Sequence, residues 1–222
     1  MLLVLVRHGE TEWNKEGHYQ GRADSALTNK GLEHAQRVAD YLKNRKIDII
    51  YSSPIHRAHK TAKIIAANHN CGILVDPLLM EIDYGIFEGK NLKEIAVEFP
   101  KEIAKKKADR YNYSHPNGEP YREMNEKRIM PFIDKAIKPL IGTDKTVVVV
   151  SHSGPGRMIS GDLLDLNGSE IMKMWQPNDC IYFVEFKGTK PALSYLRLKS
   201  GEQGNGYLLF NAETSSKYMP RD

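Results

Sequence analysis

Short apolar runs of strand length, each closing on a cluster of polar and charged residues, constrain this chain more than any other feature. Leu2 to Val6 ends in Arg7-His8-Gly9-Glu10, Ile47 to Tyr51 in Ser52-Ser53-Pro54, and Thr146 to Val150 in Ser151-His152-Ser153-Gly154. Runs that are almost continuously apolar and rich in β-branched residues suit strands buried on both faces, as in a parallel sheet. Between them the spacing turns helical. Thr28 is placed to cap a helix through Lys43, with Leu32, Ala35, Val38, Ala39 and Leu42 on one face, and a second helix runs from Ile55 to Ala67. Ile73 to Val75 is a shorter strand candidate. Strands alternating with helices predict an α/β domain with a mainly parallel sheet.

After Pro77 the pattern loosens. Asn91 to Phe99 reads as a short helix, Tyr111 to Pro120 as a polar loop, and Tyr121 to Ile137 as helical again, with Pro131 expected to start or kink that helix. Residues from about 85 to 122 are read as a cap inserted over one end of the sheet, within one domain spanning 1–222. A helix is expected from Gly156 to Leu166, then two closing strands, Cys180 to Phe186 and Leu193 to Leu198, joined through Lys187-Gly188. The polar tail from Asn211 to Asp222 is expected to be loosely ordered.

Composition excludes several classes. The 222 residues are 41% hydrophobic and 27% charged, which rules out a collagen-like, low-complexity or predominantly disordered chain. Leu2 to Val6 is too short to span a membrane and lacks the charged start and cleavage site of a signal peptide, so a cytoplasmic protein without membrane attachment is expected. Cys71 and Cys180 stand alone and far apart, offering no disulfide framework and no CxxC motif; both are expected to be buried small hydrophobes. The net charge of +4 suits a small anionic substrate better than nucleic acid. The densest basic cluster, Lys101 with Lys105, Lys106 and Lys107, reads as the solvated face of a short helix.

In an open parallel sheet, ligands bind outside the carboxyl ends of the strands. There the sequence gathers Arg7-His8, Ser52-Ser53 followed by Arg57, Ser151-His152, and, after the strand near Val75, Met80-Glu81-Ile82-Asp83. Two guanidiniums suit the spread negative charge of a phosphoryl group and its transition state. A neutral imidazole, His8, is placed to attack phosphorus, and His152 to donate to the developing charge. Glu81, rather than nearby Asp83 or Glu88, is the candidate to protonate the leaving alkoxide and then deprotonate water, a role that prefers a raised pKa. His56 and His59 have a spacing a metal could use, but without an HExxH pattern they read as surface helix. Trp13 and Tyr84 are equally suited to core or pocket wall.

The stretch LVRHGETEWN up to Asn14, with Gly21-Arg22-Ala23-Asp24 and Leu27-Thr28 through Gly31 after it, resembles the histidine phosphatase superfamily, which includes cofactor-dependent phosphoglycerate mutase. SSPIHRAHKTA (Ser52 to Ala62), MEIDYGIFEGK (Met80 to Lys90) and VVVVSHSG (Val147 to Gly154) resemble its second-arginine, acid and second-histidine motifs, in family order over roughly the first 155 residues. The resemblance implies a three-layer α/β/α sandwich with a helical insertion. It also implies that His8 is the phosphorylated nucleophile, that Arg7, Arg57 and His152 form the phosphate pocket, and that Glu81 is the proton donor. Asn14 and the Gln20-Gly21 backbone are implied to line the same pocket. No cofactor and no metal is called for, and a homodimer is left open. His34, Pro120 and Ser153 depart from the pattern, and Ser153 is expected to narrow the pocket.

Hydrolysis and mutase chemistry share the phosphohistidine. Between Gly89 and Glu119 no long basic, proline-rich segment with paired arginines is found, and Tyr19-Gln20-Gly21-Arg22 with Ile86-Phe87-Glu88-Gly89 resembles the broad-specificity phosphatase branch. A metal-independent phosphomonoesterase for small phosphorylated metabolites is therefore favoured over a bisphosphoglycerate-dependent mutase. A non-catalytic member that binds phospholigands or proteins is the alternative of another class. Lys90, Lys93, Arg110 and Arg122 are candidates for substrate selection.

Overall fold

A computed structural model describes residues 1–188 and 190–210. The expectation for Asn211 to Asp222 lies outside the described residues. The strands are β1 (Leu2–Arg7), β2 (Ile49–Ser52), β3 (Ile73–Val75), β4 (Thr146–Ser151), β5 (Met174–Trp175), β6 (Cys180–Lys187), β7 (Lys190–Arg197), β8 (Gln203–Asn205) and β9 (Leu208–Leu209). Seven of them form one sheet in the order β3-β2-β4-β1-β6-β7-β8. The four on the β3 side run parallel, and β6, β7 and β8 close the sheet antiparallel. β5 and β9 make a separate two-stranded ribbon.

Side chains alternate across the sheet, so each apolar run feeds two cores. Val4, Val6, Val148, Val150 and Ile50 pack on one face against α2 (Asn29–Leu42) and α3 (His56–Ala66), through Val38, Ala39, Leu42, Ala62 and Ile65. Leu3, Leu5, Val147 and Val149 face the other way, onto Phe132, Ile133, Ile137, Met158 and Ile159. The expected three-layer α/β/α arrangement is the one observed. Before α2, the chain makes a short helix, α1 (Glu12–Glu16). Thr28 caps α2 as predicted, its hydroxyl accepting the Gly31 amide at 2.9 Å.

Between β3 and the next helix of the core lie α4 (Leu92–Glu98) and α5 (Pro100–Ala108), followed by the predicted loop. Phe87, Ile95 and Tyr113 form a small apolar cluster of their own there, with Tyr19 and Tyr84 against it. Helical structure then runs from α6 (Tyr121–Met124) through a wide π-type turn (Asn125–Ile129), α7 (Met130–Phe132) and a second π-type turn (Ile133–Ile137). Pro131 has no amide to donate, and the wide turns on both sides absorb the missing bond without a break.

Two elements start three residues earlier than expected. α8 (Ser153–Leu163) begins three residues earlier than Gly156, because His152 is already its N-terminal flank. It is followed by the short α9 (Gly168–Ile171). β7 starts at Lys190 because Lys190, Pro191 and Ala192 pair with Lys187, Phe186 and Glu185 of β6. Cys180 is buried as expected, whereas Cys71 is only half-buried, in the connection after α3. Among the described residues no helix is long and apolar enough to cross a membrane.

Candidate active site

Parallel register brings the predicted polar clusters together. Arg7 pairs with Ser151 across β1 and β4, and Ser52 with Val150 across β2 and β4. The next residues, His8, Ser53 and His152, therefore emerge side by side at the carboxyl end of the sheet. The His8 and His152 rings lie edge to face with centroids 5.1 Å apart.

His8 is buried, and its Nδ1 lies 2.8 Å from the Gly9 carbonyl. A carbonyl can only accept, so Nδ1 carries the proton and Nε2 keeps a bare lone pair. Arg57 Nε donates to that nitrogen at 3.3 Å. Burial, and then the charges of Arg57 and Arg7, hold the His8 pKa well below 6.5. A neutral imidazole with a bare nitrogen among cations is a nucleophile suited to an anionic electrophile.

Arg57 is fully buried and anchored on every side: Nη1 donates to Ala23 O (2.8 Å) and Asp24 Oδ1 (3.0 Å), and Nη2 to Gly21 O (2.7 Å). Arg7 Nη1 donates to Gln176 O at 3.0 Å, while its buried Nε has no partner. His152 Nε2 lies 2.8 Å from Ser53 Oγ, which also accepts the Ile55 amide. His152 Nδ1 is buried and unpartnered. Burial first, then Arg57, lowers the His152 pKa well below 6.5 as well.

Glu81 is buried on a segment without regular structure, and both its oxygens accept the Gly154 amide (3.1 and 3.2 Å) at the N-terminus of α8. The contact satisfies one of the orphan amides of the helix end. A Cβ on Gly154 would stand 2.2 Å from Glu81 Oε1, so only glycine permits this approach.

These groups open onto a cavity of about 140 Å³. Arg7, His8, Asn14, Gln20 and Glu81 line it, while Arg57 and His152 contact His8 without entering the wall. Gln20 spends its side chain on Thr11 and Ser25. Gly21 corrects one expectation: it is not in the cavity wall but holds Arg57 through its carbonyl. It must be glycine because a Cβ would meet Glu88 Oε1 at 2.2 Å, where Glu88 gathers the amides of Arg22 and Ala23. Ser153 lines the cavity, and its hydroxyl accepts Arg157 Nη2 at 3.2 Å. Tyr84 is pocket wall, with its hydroxyl 2.8 Å from that of Tyr121, whereas Trp13 packs on His18 and over Gly89. His56 is exposed and pairs with Asp24.

The outer half of the cavity contains groups the sequence reading missed. Lys106 is not part of a solvated face. It points inward, donates to Tyr19 Oη at 2.9 Å and stacks on that ring. Burial, with Arg110 and Arg157 adding repulsion, pushes its pKa down to about 7. Arg157 is buried with Nε and Nη1 unpartnered, and Arg110 Nε is likewise buried and unpartnered. Of the proposed selectors only Arg110 is in the wall; Lys90 pairs with Glu98 and Arg122 with Glu126, while Lys93 is exposed. Trp175 from β5 and Phe210 after β9 complete the rim. Arg157 lies one helical turn beyond Ser153 and so shares its helix face, the one signal in the sequence by which it could have been found.

Comparison with known proteins agrees with this geometry. Phosphoserine phosphatase 1 of Hydrogenobacter thermophilus is 33% identical over 173 residues, covering 78% of this chain and 79% of its own. Phosphoglycerate mutase of Schizosaccharomyces pombe is 33% identical over 177 residues, covering 78% and 83%. The crystal structure of a putative alpha-ribazole-5'-P phosphatase from Escherichia coli superposes with a TM-score of 0.77 at 25% identity, over 87% of this chain and 94% of that one. The family model described as histidine phosphatase superfamily (branch 1) matches residues 3–199, and the chain with its paired histidines at the sheet edge belongs to that family.

Proposed function

We propose that the protein is a phosphomonoesterase that hydrolyses small phosphorylated metabolites through a phosphohistidine at His8. The observation that carries this reading is the bare Nε2 of a neutral, buried His8 held against Arg57. In the first step Nε2 attacks phosphorus while the bond to the alcohol oxygen breaks, and Glu81 delivers its proton to that oxygen. Arg7, Arg57 and His152 take up the charge on the equatorial oxygens, and Asn14 borders the same space. In the second step water attacks phosphorus, Glu81 takes its proton, the P–N bond breaks, and inorganic phosphate leaves with His8 neutral again. No group outside the chain is needed to balance either step.

Lys106, Arg110 and Arg157 lie around the space left for the alcohol, and among the described residues none of the three has a carboxylate partner. An alcohol carrying a carboxylate or second phosphate suits them. The same trio favours a second reading, phosphoglycerate mutase chemistry, because Lys106 and Arg110 supply from the insertion the paired cations not found in the sequence. The two differ in what accepts the phosphoryl group: water or a second hydroxyl.

The test is a screen of phosphorylated metabolites, both phosphoglycerates included, with purified protein and with His8→Ala. Phosphate release that survives chelator and is lost in the variant is expected. Interconversion of 2- and 3-phosphoglycerate dependent on a bisphosphoglycerate primer, with little phosphate release, selects the mutase. Equal background in both proteins leaves a binding protein.

A further inference from the structure

Glu81 has no strand or helix to hold it, since residues 80–83 form no regular structure. A proton donor on irregular backbone is useful only if other groups fix it, because small displacements of a reacting group cost large factors in rate. Those groups are side chains outside the cavity. Arg128, on the wide turn Asn125–Ile129, donates Nη1 to Met80 O at 2.5 Å and Nη2 to Glu81 O at 3.4 Å. Its Nη2 also meets Glu119 Oε1 at 2.5 Å.

That single carboxylate oxygen is a junction. It accepts the Asp83 amide at 3.0 Å and Arg22 Nη2 at 3.2 Å, while the Glu119 amide donates to Asp83 O at 3.0 Å. Gly118 makes the approach possible, since a Cβ there would stand 2.4 Å from Asp83 O. Backbone groups of Met80, Glu81 and Asp83 are thus tied to one partly buried ion pair, and Ile82 is held by the apolar core. Arg22 follows the Gly21 carbonyl that anchors Arg57, so the junction also links the proton donor to the loop behind the nucleophile.

We propose that Arg128 and Glu119 are positioning residues for Glu81, holding the proton donor in register with His8 without touching substrate. The proposal rests on the phosphomonoesterase reading. A residue that matters only for folding would lower activity on every ester alike. A residue that aims the proton donor matters in proportion to how badly the leaving group needs a proton.

The measurement is kcat/KM, which reports transfer to His8, for an alkyl phosphate and for p-nitrophenyl phosphate, in wild type, Arg128→Met, Glu119→Gln and Glu81→Gln. General acid catalysis contributes on the order of 100-fold or more, so the alkyl-to-aryl ratio is expected to fall about 30-fold in Arg128→Met. The shape-conserving Glu119→Gln, which retains the folded backbone, should lower it by a smaller factor in the same direction. An equal loss on both esters, or an unchanged ratio in both variants, overturns the positioning role. A ratio altered by Arg128→Met but untouched by Glu81→Gln also overturns it, while hydrolysis itself stands. Wild-type protein inert on both esters removes the phosphomonoesterase reading and the role with it.

Discussion

His8 and Lys106 show how burial sets charge in this pocket, in opposite services. For His8, burial first and then two guanidiniums hold the pKa well below 6.5, which favours the neutral ring. For Lys106, burial beside Arg110 and Arg157 brings the amine to about 7, within reach of its surroundings. An anion bound beside it favours the protonated form, so binding takes up a proton. Below 7 the ammonium is already present; above 7 each bound anion must recruit it. KM for an ester carrying a carboxylate, such as O-phosphoserine, is therefore predicted to rise between pH 7 and 9, by up to about tenfold per pH unit. In Lys106→Met the KM should be higher and flat, while p-nitrophenyl phosphate shows no such rise in either protein. Identical pH profiles in wild type and variant would rule out this use of Lys106.

At the scale of elements, two of the three glycines of α8 have opposite duties. Gly154, in its first turn, lets Glu81 reach the helix amide, and Gly161, near its end, lies against Ile171 with room for no Cβ closer than 2.3 Å. Gly154→Ala is predicted to displace Glu81 and lower kcat/KM on alkyl phosphates at least about tenfold, as expected for loss of a positioned acid. Its melting temperature should hold, because alanine in a helix gains about 0.5–1 kcal/mol over glycine. Gly161→Ala should do the reverse, losing stability through overpacking while the alkyl-to-aryl ratio is unchanged. Thermal melts beside the ester assay separate the two; a Gly154→Ala protein with full alkyl activity would contradict the placement of Glu81.

Elements also explain which site residues were legible in the sequence. His8, Arg7 and His152 directly follow or end apolar runs, and a parallel sheet sends the ends of those runs to one edge, so their convergence followed from periodicity. Lys106 was hidden because it sits between Lys105 and Lys107, which are exposed, and only the inward turn of α5 distinguishes it. Trp175 and Phe210 were out of reach for another reason. The ribbon that brings them in has two residues per strand, too few to show alternation, and it is tied by the buried Tyr182 hydroxyl, which donates to Trp175 O and accepts the Leu208 amide.

For the whole molecule, the sheet and the insertion divide the work. Parallel strands β1, β2 and β4 present His8, Ser53 and His152 side by side at one edge. The segment between β3 and α6 supplies Tyr84, Lys106 and Arg110 to the space beyond, and Glu119 to the junction behind Glu81. The alternation of strands and helices made the layered core readable. The side of the cavity facing the alcohol depends on how a loosely patterned segment folds back over the sheet, which local spacing does not encode.

The claim on which everything else depends is that phosphate passes through His8. Rapid mixing of wild-type protein with p-nitrophenyl phosphate, quenching in base and mapping of the modified peptide by mass spectrometry tests it directly. One phosphoryl group is predicted on the peptide containing His8, stable in base, lost in acid and absent from His8→Ala. A phosphoryl group on any other residue, or turnover by wild type with label unchanged in His8→Ala, would contradict the account.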